Sequence, residues 1–371
     1  MSLYPWGGSE ELWSQAALYL QNQGHQVFVI VPWWPQPAAQ LLALSRHGIS
    51  VRMCTPRPPS LSRFLWRKLR RSCNQWSEDL NWLLRQRPDF VCVSNGGYSD
   101  GLSYLEFCID HDLPYTNVVH ANLESLWPDD GMAERLIRVY QKARRCFFVS
   151  NRNRELLERQ LGVALVNSEV VRNPFNVRWN ASVPWPSENE GLRLACVARL
   201  EPPAKGQDIL FQIMAWEAWR SRPVTLSLFG SGHMEEGMRR LATRLSLDER
   251  ICFCGHVSSV ETIWANHHAL VLPSRYEGLP LALVEAMLCA RLAIVTNVGG
   301  NADLIEDGRS GFVAGAPTTN DFSETMERAW RRRTEWRDIG LAARTAVQAA
   351  VGERPAEAFG NRLLSIAQQG S

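Results

Sequence analysis

Two carboxylates, Glu277 and Glu285, lie eight positions apart in the run SRYEGLPLALVEAM (274–287). Paired acids of this kind could serve as the proton donor and acceptor of glycoside cleavage. They could also clamp different parts of one polyhydroxylated ligand, or flank a buried helix by accident. A second set of chemical residues lies upstream in VARLEPPAKGQDIL (197–210), where Arg199 and Lys205 stand six residues apart around a Pro-Pro turn. Two cations in one loop can neutralise a pyrophosphate, and the glycine after Lys205 lets the backbone approach it. Two further glycine-bearing turns are FGSGH (229–233) and NVGGNADLI (297–305). Neither contains the GxGxxG of a nicotinamide-binding turn.

The elements around these residues decide between the readings. ALVLPS (269–274) is a short apolar run of strand type, and Pro280 suits the first position of a helix over Leu281 to Ala290, where its missing N–H costs nothing. Glu277 then lies in the strand-to-helix turn and Glu285 more than a turn inside the helix, so the two are not stacked as an i, i+4 pair. The helix amino terminus beside Glu277 offers free N–H groups and the positive end of the dipole. Acids set around such an anion site suit a ligand carrying both hydroxyls and phosphates. Incidental glutamates around a buried helix remain open on spacing alone.

The same alternation of short apolar strands and helix-spaced segments, such as Asp208–Arg220 and Glu235–Leu245, runs along most of the chain. Strands are expected within 25–32, 49–53, 88–95, 115–122, 146–151 and 169–173, then within 192–200, 224–230, 251–255, 269–274, 292–298 and 310–315. Strands apolar on both faces and separated by helices specify an α/β protein with parallel sheets. The alternation breaks at NPFNVRWNASVPWPSENEG (173–191), rich in Pro, Asn and Ser. It divides the chain into a doubly wound domain over 1–175, a linker over 176–191, a second doubly wound domain over 192–345, and a helical end over 346–371 that could cross back to the first domain. Only six residues precede Gly7-Gly8 and the helix pattern that follows them, Ser9 to Gln23. A doubly wound domain opens with a buried strand feeding such a turn, so the first strand is missing or very short.

Bulk properties exclude several classes. The chain has 371 residues, 45% of them hydrophobic, and a formal net charge of +2, which gives no reason to expect a nucleic-acid partner. Its nine cysteines form no CxxC pair and mostly stand in apolar runs; Cys252 and Cys254 share one face of a strand. With no apolar run of membrane-spanning length and no signal-peptide pattern in MSLYPWGGSEELW, a reducing, cytoplasmic setting is expected. SLSRFLWRKLRRSCNQW (60–76) is a basic amphipathic stretch, with Trp66, Leu69, Cys73 and Trp76 on one stripe. It reads either as a peripheral contact with an anionic membrane face or as a helix packed on its own domain.

RYEGLPLALVEAMLCARLAIVTNVGGNADLIEDGRSGFV resembles the signature region of the family-4 retaining glycosyltransferases of GT-B fold. Glu277 and Glu285 match that family's E-x7-E motif, VARLEPPAKGQDIL its Arg…Lys-Gly phosphate motif, and GGSEELWSQAALYLQNQGHQVFVI its amino-terminal glycine loop, helix and strand. The resemblance implies two Rossmann-like domains facing across a cleft and transfer of a sugar from a nucleotide-diphosphate sugar, with UDP or GDP as the nucleotide. The acceptor it implies is a glycan or lipid-linked molecule, in polysaccharide or glycoconjugate biosynthesis, with no metal cofactor. Residue by residue, it assigns Arg199 and Lys205 to the diphosphate, Glu277 to the donor sugar and Glu285 to the ribose. The backbone of Gly278 and Leu279 would meet the phosphates, Gly7 and Gly8 would approach from the other domain, and His120 would lie close to the donor sugar. Ala198 stands where the family commonly has glycine, and Asp303 where it often has glutamate.

Two features point elsewhere. Asp110-His111-Asp112 reads as the DxD metal signature of other glycosyltransferases, yet it stands between a helix and the strand YTNVVH. The shortened start suggests a rival function, a nucleotide-sugar-binding or scaffold protein with weakened catalysis. A glycoside hydrolase using Glu277 and Glu285 has no use for the paired Arg199 and Lys205.

Overall fold

A computed structural model describes residues 6–54, 76–189, 191–257 and 259–369. Each expected strand run contains or overlaps a strand. In the carboxyl-terminal half β7 (Leu192–Val197), β8 (Val224–Phe229), β9 (Ile251–Gly255), β10 (Ala269–Leu272), β11 (Leu292–Thr296) and β12 (Phe312–Ala314) form one parallel sheet in the order β12-β11-β10-β7-β8-β9. The first strand of this unit, β7, lies at its centre, bonded to β8 over six registered pairs and to β10 on its other side. β10 and β11 are buried along their whole length, which is why their sequences, ALVL and LAIVT, carry no polar alternation.

The amino-terminal half is built from β1 (Phe28–Val31), β2 (Ser50–Met53), β3 (Val91–Asn95), β4 (Tyr115–Val119), β5 (Arg145–Phe148) and β6 (Ser168–Val170). These pair in parallel, but in two pieces: β1 with β2, and β3-β4-β5-β6. Among the described residues no strand precedes the helix Gly8–Asn22. The apolar strand VCVSN of β3 is only half-buried over most of its length, whereas its neighbour β4 is buried throughout.

Helices end the chain. Thr319–Arg331 and Trp336–Val351 pack on the second sheet, with Phe322, Met326, Trp336 and Ile339 in its core. After Gly352 the helix Pro355–Gln368 lies instead against the first half of the molecule. Phe359 meets Phe147 of β5 edge-on at 5.2 Å, Tyr19 Oη donates to Asn361 at 2.8 Å, and Arg362 pairs with Glu169. Between the sheets, residues 173–189 carry no strand or helix, and their distal part packs on the second half, with Trp185 against His268 and under the Arg291 guanidinium.

Two local expectations change. Pro280 caps the helix Leu281–Leu288 rather than opening it, in an extended conformation (φ −69°, ψ 128°). The helix expected from Asp208 to Arg220 breaks at Trp216, whose extended backbone separates Gln207–Ala215 from Glu217–Arg220. Residues 60–75 lie outside the described residues, and Trp76 opens the helix Trp76–Arg85. Among the described residues no helix is long and apolar enough to cross a membrane.

Candidate functional site

The cleft face of the second sheet is assembled where β7 and β10 end side by side. The chain leaving β7 makes a single helical turn, Pro202–Lys205, and reverses at Gly206. Gly206 has φ +67°, and a Cβ there would stand 2.1 Å from the Pro273 carbonyl oxygen. Only glycine allows this approach. The turn is then bolted to the loop after β10: the N–H groups of Arg275 and Tyr276 donate to the Ala204 carbonyl at 2.9 and 3.1 Å. The Arg275 guanidinium grips Asp208 with two bonds of 2.7 and 2.8 Å and the Pro202 carbonyl with a third.

This scaffold brings Lys205 Nζ to 2.7 Å from Glu277 Oε1, and Ser274 Oγ donates to the same oxygen at 2.8 Å. Glu277 is buried and the Lys205 side chain nearly so. Lys205 and Glu277, read from the sequence as belonging to two motifs, form one ion pair. In such a desolvated pair, removing one partner leaves the other uncompensated. Arg199 lies at the more open rim, 44% exposed along its side chain, with Glu201 3.5 Å away.

Glu285 occupies a different environment. The helix Leu281–Leu288 is buried along nearly its whole length, and Glu285 Oε1 accepts bonds from both the backbone N–H and the side-chain amide of Asn176, each 3.0 Å. Burial raises its pKa, the Asn176 bonds oppose that, and the charge of Glu11 from the first half of the chain adds to the rise. Glu277 and Glu285 thus serve separate places: one pairs with Lys205, the other fastens the connection between the two halves.

The opposite wall comes from the first half. A Cβ at Gly8 would lie 3.4 Å from Leu281 Cδ1, so the amino termini of the helices Gly8–Asn22 and Leu281–Leu288 face each other. Each of these two neighbouring ends carries free N–H groups and the positive pole of its helix dipole. Glu10 and Glu11 stand in the first turn of the former; burial raises the pKa of Glu10, while Trp6 Nε1 and Gln15 Nε2 donate to Glu11. His120 follows β4, its ring buried and its Nε2 3.1 Å from Ser94 Oγ, while among the described residues Nδ1 has no partner. Burial pushes its pKa down to about 4, so the imidazole is neutral at pH 7. The Gly278 backbone touches the His120 backbone so closely that a Cβ at 278 would fall 1.7 Å from the His120 carbonyl oxygen. The closed arrangement is tied further by Asn151 N–H to Asp303 (3.0 Å) and Arg152 to Asn297 (2.6 Å).

The structure therefore brings Gly8, His120, Lys205, Glu277, Gly278, Leu279 in the turn before Pro280, and the helix carrying Glu285 to one cleft, with Gly7 capping the facing helix and Arg199 at its rim. Asp110, His111 and Asp112 lie at the other end of the first sheet, before β4; Asp110 faces Arg138 at 3.6 Å and His111 bonds to the Phe107 carbonyl. Among the described residues no group of three or more His, Cys, Asp or Glu side chains is arranged to hold a metal. Sequence reasoning missed Ser274, Asn176, the Asp208–Arg275 brace and Arg152. Nothing marks them in the sequence, because each acts through a partner 3 to 145 residues away.

Two Rossmann-like parallel sheets closing on a cleft lined by facing helix amino termini and a Lys–Glu pair define a protein of the GT-B class. Its architecture matches Anabaena Alr3699/HepE, solved with UDP, over 98% of both chains (TM-score 0.76, 18% identity). It also matches the lipopolysaccharide outer core galactosyltransferase WaaB, in apo form, over 98% of this chain and 97% of that one (TM-score 0.73, 19% identity). Residues 6–179 match the family model "Glycosyltransferase Family 4" and residues 191–332 match "Glycosyl transferases group 1". The chain belongs to this family of glycosyltransferases. Among curated relatives, the glycogen synthase of Pseudomonas fluorescens is 28% identical over 168 residues, 45% of this chain and 32% of that protein. The chain spans about a third or less of the length of the first curated relatives it matches.

Proposed function

We propose that the chain transfers a glycosyl group from a nucleotide-diphosphate sugar, UDP- or GDP-linked, to a hydroxyl of a carbohydrate or lipid-linked acceptor, with retention at the anomeric carbon. The observation that carries this reading is the Lys205–Glu277 pair beside the amino terminus of the Leu281–Leu288 helix, with the Gly8–Asn22 helix facing it. An ammonium has three N–H donors and Glu277 uses one, so Lys205 can meet a phosphate oxygen without leaving its partner. Arg199 at the rim and the helix N–H groups supply the remaining positive potential, and the diphosphate charge is met without a metal. As the sugar–oxygen bond breaks, these groups stabilise the charge growing on the leaving diphosphate, which takes the acceptor proton on the same face. Glu277 orients the sugar, and neutral His120 contributes a hydrogen bond rather than a charge. Glu285 holds the ribose while its Oε1 keeps Asn176.

UDP-glucose is the first donor to try, since Anabaena HepE has been solved with it. In this reading the working compartment is the cytoplasm, with 60–76 as a contact to the inner membrane face. The test is a thermal-shift and slow-hydrolysis screen across nucleotide sugars. One donor should raise the Tm and release its nucleotide slowly, and Lys205→Ala or Glu277→Ala should abolish that release. Near-normal release in both variants would sink the site assignment. One alternative is a weakened donor-binding protein; binding without hydrolysis or transfer in every condition would select it.

A further inference from the structure

The loop that follows His120 holds two large apolar side chains in water. Leu126 is 52% and Trp127 57% exposed. The backbone beneath them is unusually well fixed for a loop. Gln160 Nε2 donates to the carbonyls of Leu123 and Leu126 at 3.0 and 3.1 Å, and Tyr98 Oη donates to Leu126 as well. Buried Asn122 bonds to Gln160 Oε1 through its amide and accepts from the Leu123 N–H. The indole N–H of Trp127 is turned back onto the Glu124 carbonyl at 3.0 Å. The polar edge of the ring is thus satisfied internally and its orientation set, while the apolar body stays open. A single exposed hydrophobe needs no explanation, but two adjacent ones on a braced loop form a preorganised surface.

We propose that Leu126 and Trp127 form the platform on which an uncharged sugar ring of the acceptor stacks. The proposal rests on the glycosyl-transfer reading of the cleft and adds the chemical class of its second substrate. Three observations select this occupant. The loop begins at His120, whose backbone touches Gly278 in the cleft, so the segment that carries the platform starts at the donor side. Arg152 links the loop to the other half of the molecule, with Nη2 3.5 Å from Glu124 and Nη1 2.6 Å from Asn297, so one side chain ties the platform's loop to the donor-side half. Finally, the exposed carboxylates Glu124, Asp129 and Asp130 flank the two apolar residues. Their field opposes phosphates and anionic lipid headgroups and leaves neutral hydroxylic ligands unaffected. The C–H face of a pyranose is the apolar side of such a ligand and fits an indole face.

The test uses the whole chain with methyl α-glucopyranoside and methyl β-galactopyranoside as neutral probes. Methyl glucuronide and phosphatidylglycerol vesicles serve as anionic ones. Saturation-transfer NMR should show the ring C–H protons of at least one neutral glycoside receiving magnetisation. That binding should weaken by about tenfold in Trp127→Ala and persist in Trp127→Phe. Equal binding by the parent and Trp127→Ala would overturn the proposal. So would the absence of transfer to any neutral glycoside, or a Trp127-dependent binding confined to the vesicles. A thermal shift with UDP-glucose, run alongside, should be the same in the parent and Trp127→Ala. Its absence in the parent counts against the donor assignment alone and leaves the platform to be judged by the NMR result.

Discussion

The two halves of this molecule solve one problem in different ways. In the second half the strand that feeds the Arg199–Lys205 loop, β7, is central and bonded on both sides, so the ladder fixes where the cations emerge. In the first half the corresponding turn at Gly7-Gly8 follows no described strand, and the sheet falls into β1-β2 and β3-β4-β5-β6. The helix Gly8–Asn22 is held instead by the returning helix Pro355–Gln368 and by Leu281 across the cleft. One wall of the site is therefore positioned by main-chain hydrogen bonds and the other by side-chain packing.

The largest test of that contrast is a pair of core deletions. Phe359→Ala should cost about 3–5 kcal/mol and lower the transition of the first half, because Phe359 is buried between Phe147 and the Gly8–Asn22 helix. Phe211→Ala, in the second core, should act on the other transition. Calorimetry showing one transition moved equally by both variants would break the comparison. Next comes Gly278→Ala, which pushes a methyl group into the His120 carbonyl. It should reduce donor turnover by about a hundredfold, roughly 2.7 kcal/mol, with little change in Tm, since the halves can separate to relieve the clash. Small-angle scattering should show the more open form.

Asp208→Ala releases the Arg275 brace without touching Lys205 or Glu277. A loss of about tenfold in kcat is expected, as the pair loses its spacing; unchanged turnover would mean the ladder alone suffices. The smallest effect at neutral pH concerns histidine. His120 in the first half and His268 in the second are both depressed to about 4 by burial. Unfolding lets each take up a proton at mildly acid pH, so each contributes stability that is intact above its ordinary pKa and lost as pH falls towards 4. His120→Gln should flatten the acid limb of the first transition by up to roughly 1.4 kcal/mol per pH unit, and His268→Asn that of the second. Denaturant melts between neutral and acid pH distinguish them.

Much of this molecule was legible in its sequence because the strands advertise themselves. ALVL, LAIVT and LRLACV are apolar on both faces, and the glycines and prolines between them mark the turns. The family motifs identified Lys205 and Glu277. They did not say that the two side chains touch, because that contact depends on the Arg275–Asp208 clasp and on the close pass of Gly206 over Pro273. Glu285 was legible as a second acid but not as the partner of Asn176, which lies 109 positions earlier. The Pro280 cap and the break at Trp216 escaped for a simpler reason. Periodicity locates a helix but leaves its ends and interruptions to a residue or two of local backbone geometry.

By itself the sequence determined the element types, the parallel α/β class and the loop from which each chemical residue emerges, because periodicity and turn chemistry are local. Only the tertiary structure decided which loops meet: the union of Lys205 with Glu277, the tie of Glu285 to the connection, and the contact of Gly278 with His120. Those contacts bridge residues tens to more than a hundred positions apart. Their geometry is set by how two sheets and a returning helix pack, which no local pattern encodes.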